Sequence, residues 1–238
     1  MRSVTWLVSY PRSGNTWLRL LLCAILSPVE LGYKKIDELI PDTHQRSSSF
    51  LKRFRSLKLP FLACKTHFIY PWNAEPGDRF IYLYRDPRDV ALSEYRYRLW
   101  EEEGLGKPAP KDFTAFLERE FIRERRFGSW RSHVSFWIRR PKKAGLLIRY
   151  EDLYNYTEDI LFSVLGVLGY NPSEEEVKRA VELTTFDRCV KMAERDSVHK
   201  FKRGLSGRPG GWKEMMTDEQ RKIIESFCGD LMKTLGYL

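Results

Sequence analysis

The chain opens with an apolar run, a loop with a single glycine and a second apolar stretch, and this order strongly constrains the fold. Val4 to Val8 has the composition of a buried strand, residues 9–17 read S-Y-P-R-S-G-N-T-W, and Leu18 to Leu26 resembles a helix. A strand, a tight turn and a helix N-terminus in that order present backbone N–H groups to an anion. The segment predicts a phosphate-binding loop; the alternative is an ordinary βα turn capped by Ser13 or Asn15.

This loop differs from the phosphate loop of nucleoside triphosphatases. It contains one glycine where that motif needs two, and no lysine precedes Ser13 or Thr16. We therefore expect an anionic ligand other than ATP with Mg²⁺.

Composition limits the class of protein. With 238 residues and 42% hydrophobic content, the chain predicts one domain over residues 1–238. It lacks a run of eighteen apolar residues and a signal-like N-terminus, so we expect a soluble, cytoplasmic protein without a membrane span. The four cysteines lack metal-ligand spacing, which predicts free thiols and no structural zinc. A net charge of +9 favours anionic ligands or surfaces without selecting among them.

Apolar runs alternate with segments of helical periodicity along the chain. This alternation predicts an α/β fold with a central parallel β-sheet flanked by helices on both faces, and sites at the carboxyl ends of its strands. The expected strands are Val4 to Val8, Phe61 to Ala63, Phe80 to Leu83 and Leu146 to Ile148. The expected helices are Asn15 to Leu26, Pro87 to Trp100, Phe113 to Phe121, Trp130 to Ile138, Asp152 to Leu168, Ser173 to Leu183 and Asp218 to Leu235. The expected loops are Pro41 to Pro60, Glu101 to Lys111 and Arg195 to Gly211.

A second motif, Y-L-Y-R-D-P-R-D-V-A-L-S at residues 82–93, joins a strand end to a helix. Arg85 lies at the strand end and Ser93 inside the helix, so both can converge on one phosphate group. A guanidinium offers the planar fork that suits bidentate phosphate binding. The alternative is a solvated surface pair formed by Arg88 and Asp89.

The sequence A-C-K-T-H places a histidine at the end of another short strand. Near neutral pH the imidazole of His67 can accept a proton from a hydroxyl, and Lys65 offers a positive charge on the same side. The alternative for His67 is an ordinary loop histidine with satisfied hydrogen bonds.

A basic, glycine-rich loop, F-K-R-G-L-S-G-R-P-G-G-W-K, occupies residues 201–213. Such a loop can surround a phosphate with backbone amides and cations. Nucleic-acid binding, with Phe201 and Trp212 as stacking platforms, is the competing interpretation.

Together, and in this order, these segments resemble the sulfotransferases that use 3′-phosphoadenosine 5′-phosphosulfate (PAPS), most closely the cytosolic-type and bacterial members. The resemblance runs from Val4 to Lys213. It implies a P-loop-like sulfotransferase fold, in which the first loop binds the 5′-phosphosulfate and Arg85 and Ser93 bind the 3′-phosphate. The implied loop residues are Arg12, Ser13, Gly14, Asn15 and Thr16, and the implied second 3′-phosphate clamp is Lys202, Arg203 and Gly204.

Two further matches concern the nucleoside. In R-Y-E-D, at residues 149–152, the resemblance implies that Tyr150 contacts the nucleotide. By the same resemblance, Trp17 and Phe186 sandwich the adenine and Thr184 forms a hydrogen bond with it. The alternative for the two aromatic residues is ordinary core packing.

The implied reaction transfers a sulfuryl group from PAPS to a hydroxyl of a small-molecule or sugar acceptor and leaves adenosine 3′,5′-bisphosphate (PAP), with no metal and no nucleic-acid partner. His67 is the expected base, assisted by Arg12, Lys65 and Ser93. The expected acceptor-wall residues are Phe68, Tyr70 and Tyr97.

Two departures from the family pattern stand out: Arg12 replaces a common lysine and Asn15 a common threonine. The basic residues 123–126 predict a solvated helix face. Two other classes stay open from the residues alone. One is a kinase or other nucleotide transferase with a P-loop, and the other is a non-catalytic basic module that binds nucleic acid or a sulfated polymer.

Overall fold

The structure, a computed structural model, describes residues 2–27, 29, 31–43, 47–123, 126–140, 145–196 and 207–238. Within them, four strands form a parallel sheet in the order β2-β1-β3-β4. The strands are β1 (Thr5–Ser9), β2 (Ala63–Thr66), β3 (Arg79–Tyr84) and β4 (Leu146–Arg149). The strand order reverses direction at β1, which pairs with β2 on one side and β3 on the other. The crevice at the carboxyl ends of β1 and β3 is therefore where such a sheet binds ligands.

Helices cover both faces of the sheet, which confirms the predicted α/β architecture. Side chains alternate along β1, so that Leu7 belongs to one buried core whereas Trp6 and Val8 belong to the other. The first core contains residues of α1 (Asn15–Leu26), α2 (Tyr33–Leu39), α7 (Tyr150–Asn155), α8 (Thr157–Leu168), α9 (Glu174–Leu183) and α10 (Phe186–Arg195). The second contains residues of α3 (Ser48–Phe54), α4 (Pro87–Leu105), α5 (Phe113–Phe116) with the π-helical turn Leu117–Phe121, α6 (Trp130–Ile138) and α12 (Asp218–Thr234).

Several boundaries differ from those predicted. The loop expected over residues 41–60 contains α3, whose first turn is capped by the Ser47 hydroxyl accepting a hydrogen bond from the N–H of Phe50. The helix expected at Asp152 to Leu168 breaks at Tyr156, which has φ −130° and ψ 50°. Helix α4 continues into the expected loop and ends at Gly106, where φ is 66°.

A buried ion pair fixes the amino-terminal edge of the sheet. Arg55 Nη2 lies 2.6 Å from Asp78 Oδ2, with the two side chains 2% and 0% exposed. The Asp78 carboxylate also accepts hydrogen bonds from the N–H of Val4 and from Nε1 of Trp6, at 2.9 and 2.8 Å. This network ties β1, β3 and the segment after α3 together at the edge opposite the ligand crevice.

Two further properties follow from the described part of the chain. None of its helices is long and apolar enough to cross a bilayer. The four cysteines are buried as free thiols.

Candidate active site

The loop between β1 and α1 has a conformation that requires glycine at position 14. Gly14 caps α1 with a φ of 98°, and a Cβ atom there would lie 2.3 Å from Cδ2 of Tyr150. Arg12 also has a positive φ, 67°, which non-glycine residues seldom adopt outside functional loops. Ser13 is buried, and its hydroxyl has no hydrogen-bond partner among the described residues. The loop thus leaves a buried hydroxyl and the first N–H groups of α1 available to an anion.

The Asn15 side chain is directed toward β1. Its Nδ2 donates hydrogen bonds to the carbonyl of Leu7 at 3.0 Å and to Ser9 Oγ at 3.1 Å. Asn15 therefore connects the first turn of α1 to the end of β1, and its amide hydrogens are used inside the protein.

His67 follows β2 and is held by the end of β1. Its Nδ1 lies 2.7 Å from the carbonyl oxygen of Ser9 and 3.3 Å from Ser9 Oγ. A carbonyl oxygen only accepts hydrogen bonds, so Nδ1 carries the hydrogen and Nε2 is the nitrogen with the lone pair. Lys65, two residues earlier, forms an ion pair with Asp42 at 2.5 Å.

Arg12 and Ser93 meet where the first loop approaches α4. Arg12 Nε donates to Ser93 Oγ at 3.1 Å, and its guanidinium lies 4.8 Å from the centre of the Tyr97 ring. Burial lowers the pKa of Arg12, against an opposing effect of Glu94. Arg12 thus lies at the junction of two motifs that are 81 residues apart in the chain.

Arg85, at the end of β3, is buried beside Tyr150. Its guanidinium lies 4.2 Å from the centre of the Tyr150 ring, and Nη2 lies 3.5 Å from Asp89 Oδ2. Nη2 also donates to the carbonyl of Arg208 at 3.4 Å. Nε is buried and has no hydrogen-bond partner among the described residues. The guanidinium therefore keeps hydrogen-bonding capacity for an anion.

The segment at residues 207–212 is fastened to the same region. Asp89 accepts hydrogen bonds from the N–H groups of Gly210 and Trp212 at 2.7 and 3.0 Å, and Tyr150 donates its hydroxyl to Gly207 O at 2.7 Å. Burial raises the pKa of Asp89, while Arg85 and these N–H groups oppose the shift. The segment leads into α11 (Trp212–Met215).

The alternative of a solvated Arg88–Asp89 surface pair is wrong, because both residues are buried and point to different partners. Arg88 pairs with Asp86 at 2.7 Å and lies 3.8 Å from the centre of the Trp212 ring. The predicted clamp residues Lys202, Arg203 and Gly204 lie outside the described residues.

Aromatic side chains lie beyond the loop. Trp17 Nε1 donates to the carbonyl of Thr184 at 2.9 Å, and its ring is 6.1 Å from that of Tyr150. Thr184 caps the C-terminus of α9, and its hydroxyl donates to the carbonyl of Ala180 in that helix at 2.8 Å. Phe186, at the start of α10, is 36% exposed. Aromatic surface is thus available next to the anion-binding loop.

A single cavity of about 1180 Å³ joins these groups. This volume exceeds the roughly 300 to 1,000 Å³ of a typical small-ligand pocket. The predicted site residues that line it are Arg12, Gly14, Asn15, Thr16, Trp17, Lys65, His67, Arg85, Ser93, Tyr97, Tyr150, Thr184 and Phe186. Ser13, between Arg12 and Gly14 in the loop, is not among the lining residues.

Two of the three predicted acceptor-wall residues lie elsewhere. Tyr70 stacks on Trp137 at 6.4 Å and is 42% exposed, outside the cavity lining. Phe68 contacts the ring of Phe127 at 5.4 Å, and it is Phe127 that lines the cavity. The expectation for these two residues is corrected, because proximity in sequence to His67 does not specify which side of the chain a residue faces.

Within the basic residues 123–126, Arg123 and Arg126 are exposed, as predicted, and residues 124 and 125 lie outside the described part of the chain. Arg126 also lines the cavity, 5.3 Å from the centre of the Phe127 ring, which was not predicted. Sequence analysis also assigned no role to Tyr10 and Tyr154, which line the cavity. Tyr10 lies within the first motif, but no spacing signal in the sequence connects Tyr154 to the strand-end motifs.

Among the described residues, no group of three or more His, Cys, Asp or Glu side chains is arranged to hold a metal ion.

Comparison with known proteins agrees with this fold. Mouse sulfotransferase 1E1 is 29% identical over 191 residues, which cover 76% of this chain and 63% of that protein. Mouse sulfotransferase 4A1 is 27% identical over 231 residues, which cover 90% and 75%. The crystal structure of mouse sulfotransferase SULT7A1 complexed with PAP has a TM-score of 0.74 at 21% identity, covering 97% of this chain and 84% of that one.

A structure of retinol dehydratase in complex with androsterone and PAP has a TM-score of 0.72 at 20% identity, covering 98% and 82%. The chain thus spans 63% of the length of mouse sulfotransferase 1E1. The model of the sulfotransferase domain family matches residues 2–236, and the chain therefore belongs to that family.

Proposed function

We propose that the protein is a PAPS-dependent sulfotransferase that acts on a hydroxyl of a small-molecule or carbohydrate acceptor and works in the cytoplasm. The observation that carries the proposal is the single cavity in which the anion loop, His67, the Arg12–Ser93 pair and Arg85 meet. Family membership and two structural neighbours described with bound PAP support it. The buried free cysteines agree with a reducing compartment.

The residues fit an adenosine nucleotide that carries phosphates at both ends of its ribose. Ser13 Oγ and Arg85 Nε are buried polar atoms without partners among the described residues, as expected of groups that wait for a ligand. Gly14, next to Ser13, lets the backbone of the loop approach one phosphate closely. The Arg85 guanidinium can donate hydrogen bonds to a second phosphate. Trp17 and Phe186 offer faces for a base.

His67 fits the role of general base. The Ser9 carbonyl fixes the Nδ1–H tautomer, so Nε2 can take the proton of an acceptor hydroxyl. A positioned base of this kind contributes roughly 10² to 10⁴ in rate.

The donor supplies an activated sulfuryl group, whose sulfur forms a bond to the acceptor oxygen as its bond to the phosphate oxygen breaks. Arg12 lies in the loop where negative charge grows on the departing phosphate, and electrostatic stabilisation there is its proposed contribution. Ser93 accepts the hydrogen bond that orients Arg12 Nε. Lys65 adds positive charge on the His67 side, and its ion pair with Asp42 holds it in place.

Calorimetric titration with PAP, beside ADP and ATP with Mg²⁺ at one ionic strength, tests the donor site. We expect PAP to bind at least tenfold more tightly, about 1.4 kcal/mol. A preference for ATP would favour a kinase. Absence of nucleotide binding would favour a basic interaction module.

The His67→Ala variant tests the base. With PAPS and a panel of phenols, alcohols and sugars, the variant should lose at least a hundredfold in kcat while its Kd for PAP stays within about twofold. Loss of PAP affinity to the same extent would instead identify His67 as a structural or nucleotide-binding residue.

A further inference from the structure

We propose that His133, whose Nδ1 accepts a hydrogen bond from Tyr82, is a positioning residue that holds His67 through the backbone. The catalytic consequence rests on the proposed function, whereas the hydrogen-bonded arrangement can be tested without it. His133 lies on α6 and is fully buried. Its ring stacks on Tyr82 at 5.6 Å and meets the edge of Tyr10 at 5.7 Å.

Both ring nitrogens of His133 have partners. Tyr82 Oη lies 2.8 Å from Nδ1, and Nε2 lies 3.0 Å from the carbonyl oxygen of His67. A carbonyl oxygen can only accept, so Nε2 carries the hydrogen and Nδ1 accepts from the Tyr82 hydroxyl. The reverse tautomer would place the Nε2 lone pair against the carbonyl lone pairs.

Burial keeps this imidazole neutral. It lowers the pKa of His133 to about 4, against the hydrogen bond to the His67 carbonyl. At neutral pH, His133 therefore has one hydrogen to donate. The His67 carbonyl determines that Nε2 carries it, and the Tyr82 hydroxyl satisfies Nδ1 by donating to it.

The result is a histidine held at two points. His133 on α6 fixes the main chain of His67, while Ser9 on β1 fixes its ring through Nδ1. The main-chain contact limits translation of the residue, and the ring contact limits rotation about its side-chain bonds. A displacement of about 1 Å at a reacting group costs on the order of 10² in rate, so a contact that prevents it contributes to turnover.

Two matched pairs of variants test the proposal. Tyr82→Phe removes only the hydroxyl that donates to Nδ1 of His133, and Tyr84→Phe removes a hydroxyl from the same face of the same strand. His133→Leu removes the donor, whereas His133→Gln keeps an N–H at the position of Nε2. We expect kcat to fall about tenfold in Tyr82→Phe and His133→Leu, with recovery in His133→Gln and no change in Tyr84→Phe.

The Kd for PAP should stay within about twofold in all four variants, since none alters the donor loop. Equal loss of kcat in His133→Gln and His133→Leu, or in Tyr82→Phe and Tyr84→Phe, would overturn the proposal. The proposal would also be overturned if the loss of kcat among the four variants simply paralleled their loss of thermal stability.

Nitrogen-15 NMR of labelled histidines separates this proposal from the proposed function, because it needs no turnover. We expect the Nε2–H tautomer for His133 and the Nδ1–H tautomer for His67 in the intact protein. Tyr82→Phe should shift the resonances of both. The Nδ1–H tautomer at His133, or unchanged His67 resonances in Tyr82→Phe, would refute the arrangement even in an active enzyme.

Discussion

Replacement of Gly14 by alanine gives a prediction whose size follows from two separate structural costs. The first is conformational, because Gly14 has a φ of 98°, and a left-handed residue with a side chain costs about 1 to 2 kcal/mol. The second is steric, since the new Cβ would lie 2.3 and 2.4 Å from two ring atoms of Tyr150.

Tyr150 cannot easily yield to that contact. Its ring is buried, its hydroxyl donates to Gly207, and Arg85 lies against its face. Overpacking of this kind costs about 1 to 3 kcal/mol, so the variant should lose about 2 to 5 kcal/mol of unfolding free energy in total. Displacement of Tyr150 also moves the support of Arg85, and we expect the Kd for PAP to rise at least tenfold.

Gly77 provides the matched control. Its φ is 91°, and an added Cβ would meet no atom within 4 Å, so Gly77→Ala has the conformational cost alone. Denaturant unfolding of both variants gives the steric cost by difference, and calorimetry gives the effect on PAP. Equal destabilisation by the two substitutions, or unchanged PAP affinity in Gly14→Ala, would refute the reasoning.

Three further predictions concern charge. Arg85→Ala should weaken the binding of PAP by roughly tenfold to a hundredfold, because a charged hydrogen bond contributes about 1.5 to 3 kcal/mol. The binding of adenosine 5′-phosphosulfate should weaken much less. Equal weakening of both ligands in calorimetric titration would show that Arg85 does not bind the 3′-phosphate. Asp78→Asn should cost about 3 to 5 kcal/mol at pH 7 in denaturant unfolding, because it leaves the buried Arg55 with only the half-exposed Glu75 carboxylate, at 3.5 Å, as an anionic partner among the described residues. A loss below about 1 kcal/mol would contradict this. Burial raises the pKa of Asp78, but its hydrogen bonds outweigh that effect and lower the pKa. The stabilisation by the ionised Asp78 is therefore complete above the unfolded pKa of about 3.9 and is lost as pH falls through the pKa of the folded state. The free energy of unfolding of Asp78→Asn should therefore decrease less steeply at acidic pH than that of the unsubstituted protein. Turnover with PAPS should persist in the presence of EDTA, because a sulfuryl group carries less negative charge than a phosphoryl group and its transfer needs no metal ion to neutralise that charge. Loss of turnover in EDTA that Mg²⁺ restores would contradict this.

Local signals made part of the fold predictable. Helix α1 has the predicted bounds Asn15–Leu26, because the glycine turn and the apolar stretch after it lie within one segment. The segment around α3 gave no comparable signal: its serines and basic residues read as a loop, and the helix is stabilised by Leu51 and Phe54 packing in the second core. Tertiary packing there outweighed weak local preference.

The same distinction applies to the site. The placement of His67 and Arg85 at the ends of strands could be predicted, because a parallel sheet brings the carboxyl ends of its strands to one edge. The position of Asp89 could not, since its partners Gly210 and Trp212 lie more than 120 residues away in the chain. Nor could the role of His133, whose spacing on α6 resembles that of an ordinary core residue.

Residues at the amino-terminal edge of the sheet stabilise the fold, whereas residues at its carboxyl edge form the candidate site. At the amino-terminal edge, Asp78 accepts hydrogen bonds from Arg55, Val4 and Trp6, so a buried charge there is well matched. At the carboxyl edge, Ser13 Oγ and Arg85 Nε stay buried without described partners, at a cost of about 1 to 3 kcal/mol for each such group. A ligand that pairs with these atoms recovers that cost on binding, whereas a water-exposed site would gain less from the same contacts. The network around Asp78 stabilises the fold at the amino-terminal edge, away from the candidate site. This stability offsets the cost of the polar atoms that lack described partners at the carboxyl edge, and these atoms can then bind an anion.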